Sequence, residues 1–308
     1  MSEEVLLGGQ AVIEGVMMRA PGAYAVAVRR KGGDVVTQRK AVTRYTDRHP
    51  FLRAPVLRGC VALFQSLALG IRALNFSAEQ ALDADQEEGS DSKSSGGWAV
   101  AGSLFFALLF ALGLFFYLPL FLTDVLARSL PVLGHGFAYS LVDGGIRILL
   151  FILYILGISL SGEMRRVFRY HGAEHKVVHA YEAGEELTVA NARRHSTLHP
   201  RCGTSFLLFV MILSALAFAM IPTSTPFVGK LVARLVLLPL IAGCSFELLR
   251  ASARRAGTPL FSLVVAPGLW LQRLTTLEPA DEHLSVAIEA LRAAMGGDVP
   301  VRREALPL

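Results

Sequence analysis

Hydrophobic positions along the chain fall in long unbroken blocks, and most charges sit between them. The longest block, residues 98–123, is rich in Leu and Phe and closes at Asp124. It exceeds the ~20 residues that a helix needs to cross the hydrocarbon core. A second block, 144–162, has 15 uncharged residues between Arg147 and Glu163, so Arg147 is expected to snorkel to one interface. A third covers 203–221. The fourth, 231–249, leaves 12 uncharged residues between Arg234 and Glu247 and contains Pro239; Arg234 is expected to snorkel like Arg147. Two further apolar segments are expected not to cross. The 13 residues between Arg58 and Arg72 make only about 20 Å of helix. Residues 256–272 are interrupted by Pro259, Pro267 and Gly268, which suits an interfacial or re-entrant segment.

The polar segments read differently. Residues 22–42 alternate on either side of a KGGD turn, the signature of a β-hairpin. Residues 83–97 are acidic and rich in Ser and Gly, a flexible linker. Residues 279–295 place Leu284, Ile288, Leu291 and Met295 on one helical face. The expected fold is therefore a mainly α polytopic membrane protein with about four transmembrane helices, a small N-terminal β-hairpin and cytoplasmic helical elements. Its parts would be an N-terminal region (1–54), an amphipathic interfacial helix (55–82), the linker (83–97), a four-span domain (98–249) with a His-rich loop (163–202), and a C-terminal region (250–308).

Composition agrees: 53 % of the 308 residues are hydrophobic and 18 % charged, against about 25 % charged in soluble domains. The net charge of +5 matters less than its distribution. Lys and Arg number 12 in residues 1–97, one in 127–143, seven in 163–202, one in 222–230 and seven after 249. That alternation puts both termini and the 163–202 loop on the cytoplasmic side of a bacterial inner membrane. Topology accounts for the basic residues, so nucleic acid is not an expected partner. Three widely spaced cysteines imply no disulfide framework.

Five of the eight histidines, His171, His175, His179, His195 and His199, fall within 29 residues of that loop. Neutral imidazole is a common metal ligand, and i, i+4 spacing converges two of them on one helical face. His171-Gly-Ala-Glu174-His175 has the H-x-x-E-H order of inverzincins, in which two His hold zinc and the Glu polarises its water. A distant Glu is the third ligand there, and Glu247 is the candidate here. Inverzincins are soluble proteins of another architecture, so the likeness is one of geometry. His179 lies a turn further on and suits a second ion or a supporting role. His195 and His199 repeat the spacing ahead of Pro200, which would end a helix, and Cys202 could complete a His/Cys site. Arg194 or Arg201 could stabilise a developing oxyanion. Near the N-terminus, Gln10, Glu14 and Arg19 could present polar groups to the same site, or mark a tight turn entering a buried strand.

The stretches GGQAVIEGVMMR, YHGAEHKVVHAYE and HPRCGTSF resemble the YqhQ-like family of bacterial membrane proteins, built on a domain of unknown function. The likeness runs from about residue 7 to residue 290. Its motifs fall on Gly9, Gln10, Glu14, Gly15 and Arg19, on His171, Glu174, His175 and Lys176, and on His199, Pro200, Arg201 and Cys202. The resemblance implies a metal-dependent enzyme of the inner membrane with no settled substrate.

Three functions are open at this point. The leading one is a hydrolase with a divalent ion, zinc first, and Glu174 as general base, acting on a lipid-like or peptide substrate beside membrane lipid. The second is a di-iron oxidoreductase of the histidine-box type, for which five histidines are few. The third is a non-enzymatic metal- or lipid-binding scaffold.

Overall fold

The computed structural model describes residues 7–43, 45–82, 96–134, 136–222, 224–254 and 258–297. Most of them are helical, with one small sheet at the N-terminal end. Strands β1 (Gly8–Val12), β2 (Gly15–Ala20), β3 (Ala23–Arg29) and β4 (Val35–Ala41) form an antiparallel meander in that order. The hairpin expected over 22–42 is β3–β4, and the GGQAVIEGVMMR stretch supplies the other two strands. Its two-residue turn holds Glu14 at φ +50°, a left-handed conformation that is costly for a residue with a Cβ.

The helices are α1 (Tyr45–Arg48), α2 (Leu57–Leu82), α3 (Gly96–Leu112), α4 (Leu118–Ser129), α5 (Gly136–Ser159), α6 (Gly162–Glu182), α7 (Val189–Arg193), α8 (Gly203–Phe218), α9 (Phe227–Arg254), α10 (Pro259–Thr275) and α11 (Asp281–Met295). A π-helical turn, Gly113–Tyr117, joins α3 to α4. The sheet is covered on both faces, which is why β2 and β3 read as apolar runs with little alternation. Val16, Met18 and Ala27 pack against α6 and α11, while Met17, Val26 and Val28 rest on Leu69 and Ala73 of α2. The stripe on α11 has the same cause: Leu284, Ile288 and Leu291 are buried in the first of these layers.

Among the described residues, four segments are long and apolar enough to cross a membrane: Leu57–Ala81, Phe105–Ser129, Gly136–Ser159 and Phe227–Ser252. This set differs from expectation in two members. Helix α2 has 26 residues, about 39 Å, because Arg58 and Arg72 do not bound it. Arg58 is neutralised by Glu247 of α9, with Nε to Oε1 at 2.6 Å. One side of α2 carries the sheet while Phe64 and Leu67 stay exposed. Helix α8, the expected third span, has 16 residues, about 24 Å, and falls short of the usual crossing length.

Three other expectations change. Arg147 and Arg234 do not snorkel: both turn inward onto Asp143, which is fully buried. The prolines do not break the segment from 259 on: it forms helix α10, because a proline in the first turn has no N–H to waste, and Pro267 is accommodated within it. Gly268 there permits close packing, since a Cβ on it would lie 2.5 Å from Ser205 Oγ. The linker expected at 83–97 lies, up to residue 95, outside the described residues.

Candidate metal centre

Helix α6 is enclosed along most of its second half, with Gly172 to Val178 all buried. One wall is the segment after α10. A Cβ on Gly172 would lie 2.2 Å from Leu277 O, so only glycine lets that backbone close in. Leu277 N donates to Phe168 O at 3.0 Å, and the same crossing brings Thr275 O to 2.9 Å from His171 Nδ1. The other wall is the segment 194–201. The helix expected around His195 and His199 is absent, because α7 stops at Arg193 and an irregular turn follows. Its free carbonyls face α6: Thr197 O lies 2.5 Å from His175 Nδ1, and Leu198 O lies 2.9 Å from His179 Nε2.

A carbonyl can only accept, so these contacts set the tautomers. His171 and His175 each donate from Nδ1 and leave Nε2 with a lone pair. One ring nitrogen of each histidine and the Sγ of Cys202 lie within 4.8 Å of one another as ligand atoms. His171 Nε2 is 3.2 Å from that sulfur, and the two rings are 4.5 Å apart. Cys202 is buried at the N-cap of α8. Two imidazoles, each held by a backbone carbonyl, and one sulfur make a donor set that fits a zinc-like ion with an open fourth position.

A second group, His179, Glu182 and His199, lies beside the first; the His175 and His199 rings are 5.6 Å apart. It fits an ion less well. His199 Nδ1 accepts from Arg201 N at 3.2 Å, which leaves the proton on Nε2, 3.4 Å from Glu182. The guanidinium of Arg201 also pairs with Glu182. His195 stacks on His179 and reaches Glu185 at 3.1 Å. Arg194 is exposed and pairs with Glu185 at 3.5 Å.

Burial pushes the His175 imidazole below its ordinary pKa, against an opposing hydrogen bond to Cys202. It lowers His179 and His199 to about 4, the former with help from His199. All three are therefore neutral near pH 7, the form that binds metal. Glu174 moves upward, again through burial, with His171, the Gly9 N–H and His199 pulling the other way. Its Oε1 accepts from Gly9 N at 2.8 Å, and a Cβ on Gly9 would lie 2.9 Å from its carboxyl carbon. The N-terminal motif thus meets the H-x-x-E-H motif at one glycine.

The remaining predicted residues go elsewhere. Gln10 packs on Gly70 of α2, Glu14 pairs with Arg166 at 3.0 Å, and Arg19 lies 3.5 Å from Gln65. Glu247, the expected third ligand, pairs with Arg58 instead and joins neither histidine group among the described residues. Cys202, expected to complete a site with the His195/His199 pair, lies with His171 and His175 instead.

Sequence reasoning missed Glu182 and Gln272. Buried Gln272 of α10 accepts from His199 N at 2.8 Å, donates to His199 O at 2.9 Å and to Ser205 Oγ at 3.2 Å. Nothing local marks it, because its partners lie 73 and 67 residues away. Lys176 is buried as well, tied to Arg193 O at 2.9 Å and Glu278 at 2.6 Å.

Comparison with known proteins places these motifs. Residues 54–297 match the family described as "Protein of unknown function (DUF1385)". The chain is 37 % identical to the "Uncharacterized protein YqhQ" of Bacillus subtilis (strain 168) over 292 residues, 92 % of this chain and 90 % of that protein. No solved structure matches. With the histidine segment, α8 and Gln272 all inside the matched region, the chain belongs to the DUF1385 family, whose members include proteins of the YqhQ type.

Proposed function

We propose that the protein is a metal-dependent hydrolase of the bacterial inner membrane, with its site at the cytoplasmic face and both termini on that side; in this topology α8 crosses together with α3–α4, α5 and α9, and α2 stays on the cytoplasmic side with the sheet it carries. The observation that carries this reading is the convergence of His171, His175 and Cys202, each histidine with its far nitrogen held by a backbone carbonyl. A bound zinc-like ion would supply a water of lowered pKa at its open position. The chain's own residues do the rest. Thr275 and Thr197 hold the rings in the tautomer that presents Nε2. Glu174, raised in pKa by burial, takes and returns a proton at its carboxylate. Arg201, anchored on Glu182, offers positive charge to an oxyanion or an anionic headgroup. Lipid-like esters, phosphoesters and peptide bonds all suit this chemistry.

A thiolate donor favours zinc over the harder ligand field of a di-iron site, and the Arg201–Glu182 pair occupies the place of a second ion. Elemental analysis of detergent-purified protein tests the reading. We expect about one zinc per chain in the wild type and in Glu174→Gln, and none in His171→Ala/Cys202→Ser of equal purity. Two irons per chain would establish the oxidoreductase instead. A wild type that takes up no metal on reconstitution would leave the lipid-binding scaffold.

A further inference from the structure

The opposite end of the bundle holds a second cluster of charged side chains that the metal centre does not use. Cys202 caps one end of α8 and Phe218 closes the other, so 16 residues, about 24 Å of helix, separate the two places. Around Phe218, Asp143 of α5 accepts from Arg147 at 2.7 Å and from Arg234 of α9 at 2.8 Å. Arg147 also donates from Nε to Phe115 O at 3.0 Å, a carbonyl within the π-helical turn. Such a turn breaks the regular helical ladder and presents a carbonyl sideways. Both guanidiniums lie over the Phe218 ring, at 4.9 and 4.8 Å from its centre. Next to them, Lys230 reaches Asp124 at 3.0 Å and the hydroxyl of Tyr139 at 3.5 Å.

Two features of this cluster do not balance. Three cations, Arg147, Lys230 and Arg234, face two carboxylates, Asp124 and Asp143. Among the described residues, two buried donors, Arg147 Nη1 and Arg234 Nε, also have no hydrogen-bond acceptor; the two residues are only 4 % and 2 % exposed. A buried N–H without a partner is costly, more so when the group is charged. Arg234 lines a small, partly open cavity together with Tyr139, Phe218, Ile221 and Lys230. Tyr139 and Lys230 stand in the first turns of α5 and α9, whose N-termini add partial positive charge.

We propose that a phosphate-class oxyanion binds at the open mouth of this cavity, whose interior has room for about one water-sized atom, with Arg234 and Lys230 as its cationic donors and the Tyr139 hydroxyl beside them. An anion of several oxygens would accept from Arg234 and Lys230 and offset the surplus charge together, as a basic pocket between membrane helices does for a headgroup. The phosphate could be free or carried by a lipid.

The test uses full-length, chelator-treated protein, so that no metal at the histidines takes up the anion. Thermal unfolding is followed in phosphatidylcholine nanodiscs with increasing inorganic phosphate, and in nanodiscs containing phosphatidylglycerol. Two variants accompany the wild type: Asp124→Asn/Lys230→Gln, which removes a cation together with its carboxylate partner, and Ile221→Phe, which fills the cavity and leaves every charge in place. We expect wild-type Tm to rise with one of the two probes and the half-saturating concentration to increase at least tenfold in both variants. A response to inorganic phosphate identifies a free oxyanion, and a response to phosphatidylglycerol alone identifies a headgroup. His171→Ala/His175→Ala should respond as the wild type does. No response in the wild type to either probe, or an equal response in Ile221→Phe, overturns the proposal.

Discussion

At the residue scale, the site depends on two glycines that let backbone approach backbone. Gly9 and Gly172 stand where a Cβ would meet Met17 O at 2.6 Å and Leu277 O at 2.2 Å. Backbone atoms cannot swing aside as a side chain can, so each alanine must displace a strand or a segment. Gly9→Ala and Gly172→Ala are expected to lower stability by roughly 1–3 kcal/mol, the latter more, as read from thermal unfolding of the metal-free protein. Gly172→Ala should also move Thr275 O away from His171 and weaken zinc binding. The spacing of His171, Glu174 and His175 was legible in the sequence because one helix sets it. The role of Gly172 was not, since the atom it makes room for lies 105 residues further along the chain.

At the element scale, apolar periodicity identified α11 but not its partner. Its buried stripe seals the sheet against α6, so it supports the histidine helix from behind. Leu291 is fully buried in that layer. Leu291→Ala should cost about 2–5 kcal/mol and loosen α6, while Ala293, on the partly exposed side, should tolerate polar substitution; urea or thermal unfolding separates the two. Periodicity misjudged α2 for a definite reason. Charges at 58 and 72 look like the ends of a short segment, yet Glu247 of a neighbouring helix neutralises Arg58. For α8 the apolar run includes residues past Phe218 that turn instead of continuing the helix, so the helix is shorter than the run.

At the scale of the whole molecule, buried neutral histidines tie stability to pH. His175, His179 and His199 have folded pKa values below the unfolded value of about 6.5. The unfolded chain therefore binds more protons between about pH 4 and 6.5, and stability falls as pH is lowered through that window. Glu174, with its pKa raised, acts with the opposite sign, losing its contribution as pH rises. The Tm of metal-free protein should therefore climb from pH 4 to 6.5, and more steeply in Glu174→Gln. A flat profile would mean that the histidines stay solvated.

The sequence by itself determined what depends on neighbours within a turn or two: the apolar helices, the hairpin at 22–42, and the pairing of His171 with His175 on one face. The candidate roles of His179, Cys202 and Glu174 followed from the same local patterns. Only the tertiary structure decided that Cys202, not Glu247, joins the two histidines, that loop carbonyls set their tautomers, and that Gln272 holds His199 in place. It alone shows Asp143 drawing two arginines inward. Those outcomes depend on where distant segments cross, and crossing is governed by packing and charge compensation over the whole fold, which no local pattern encodes.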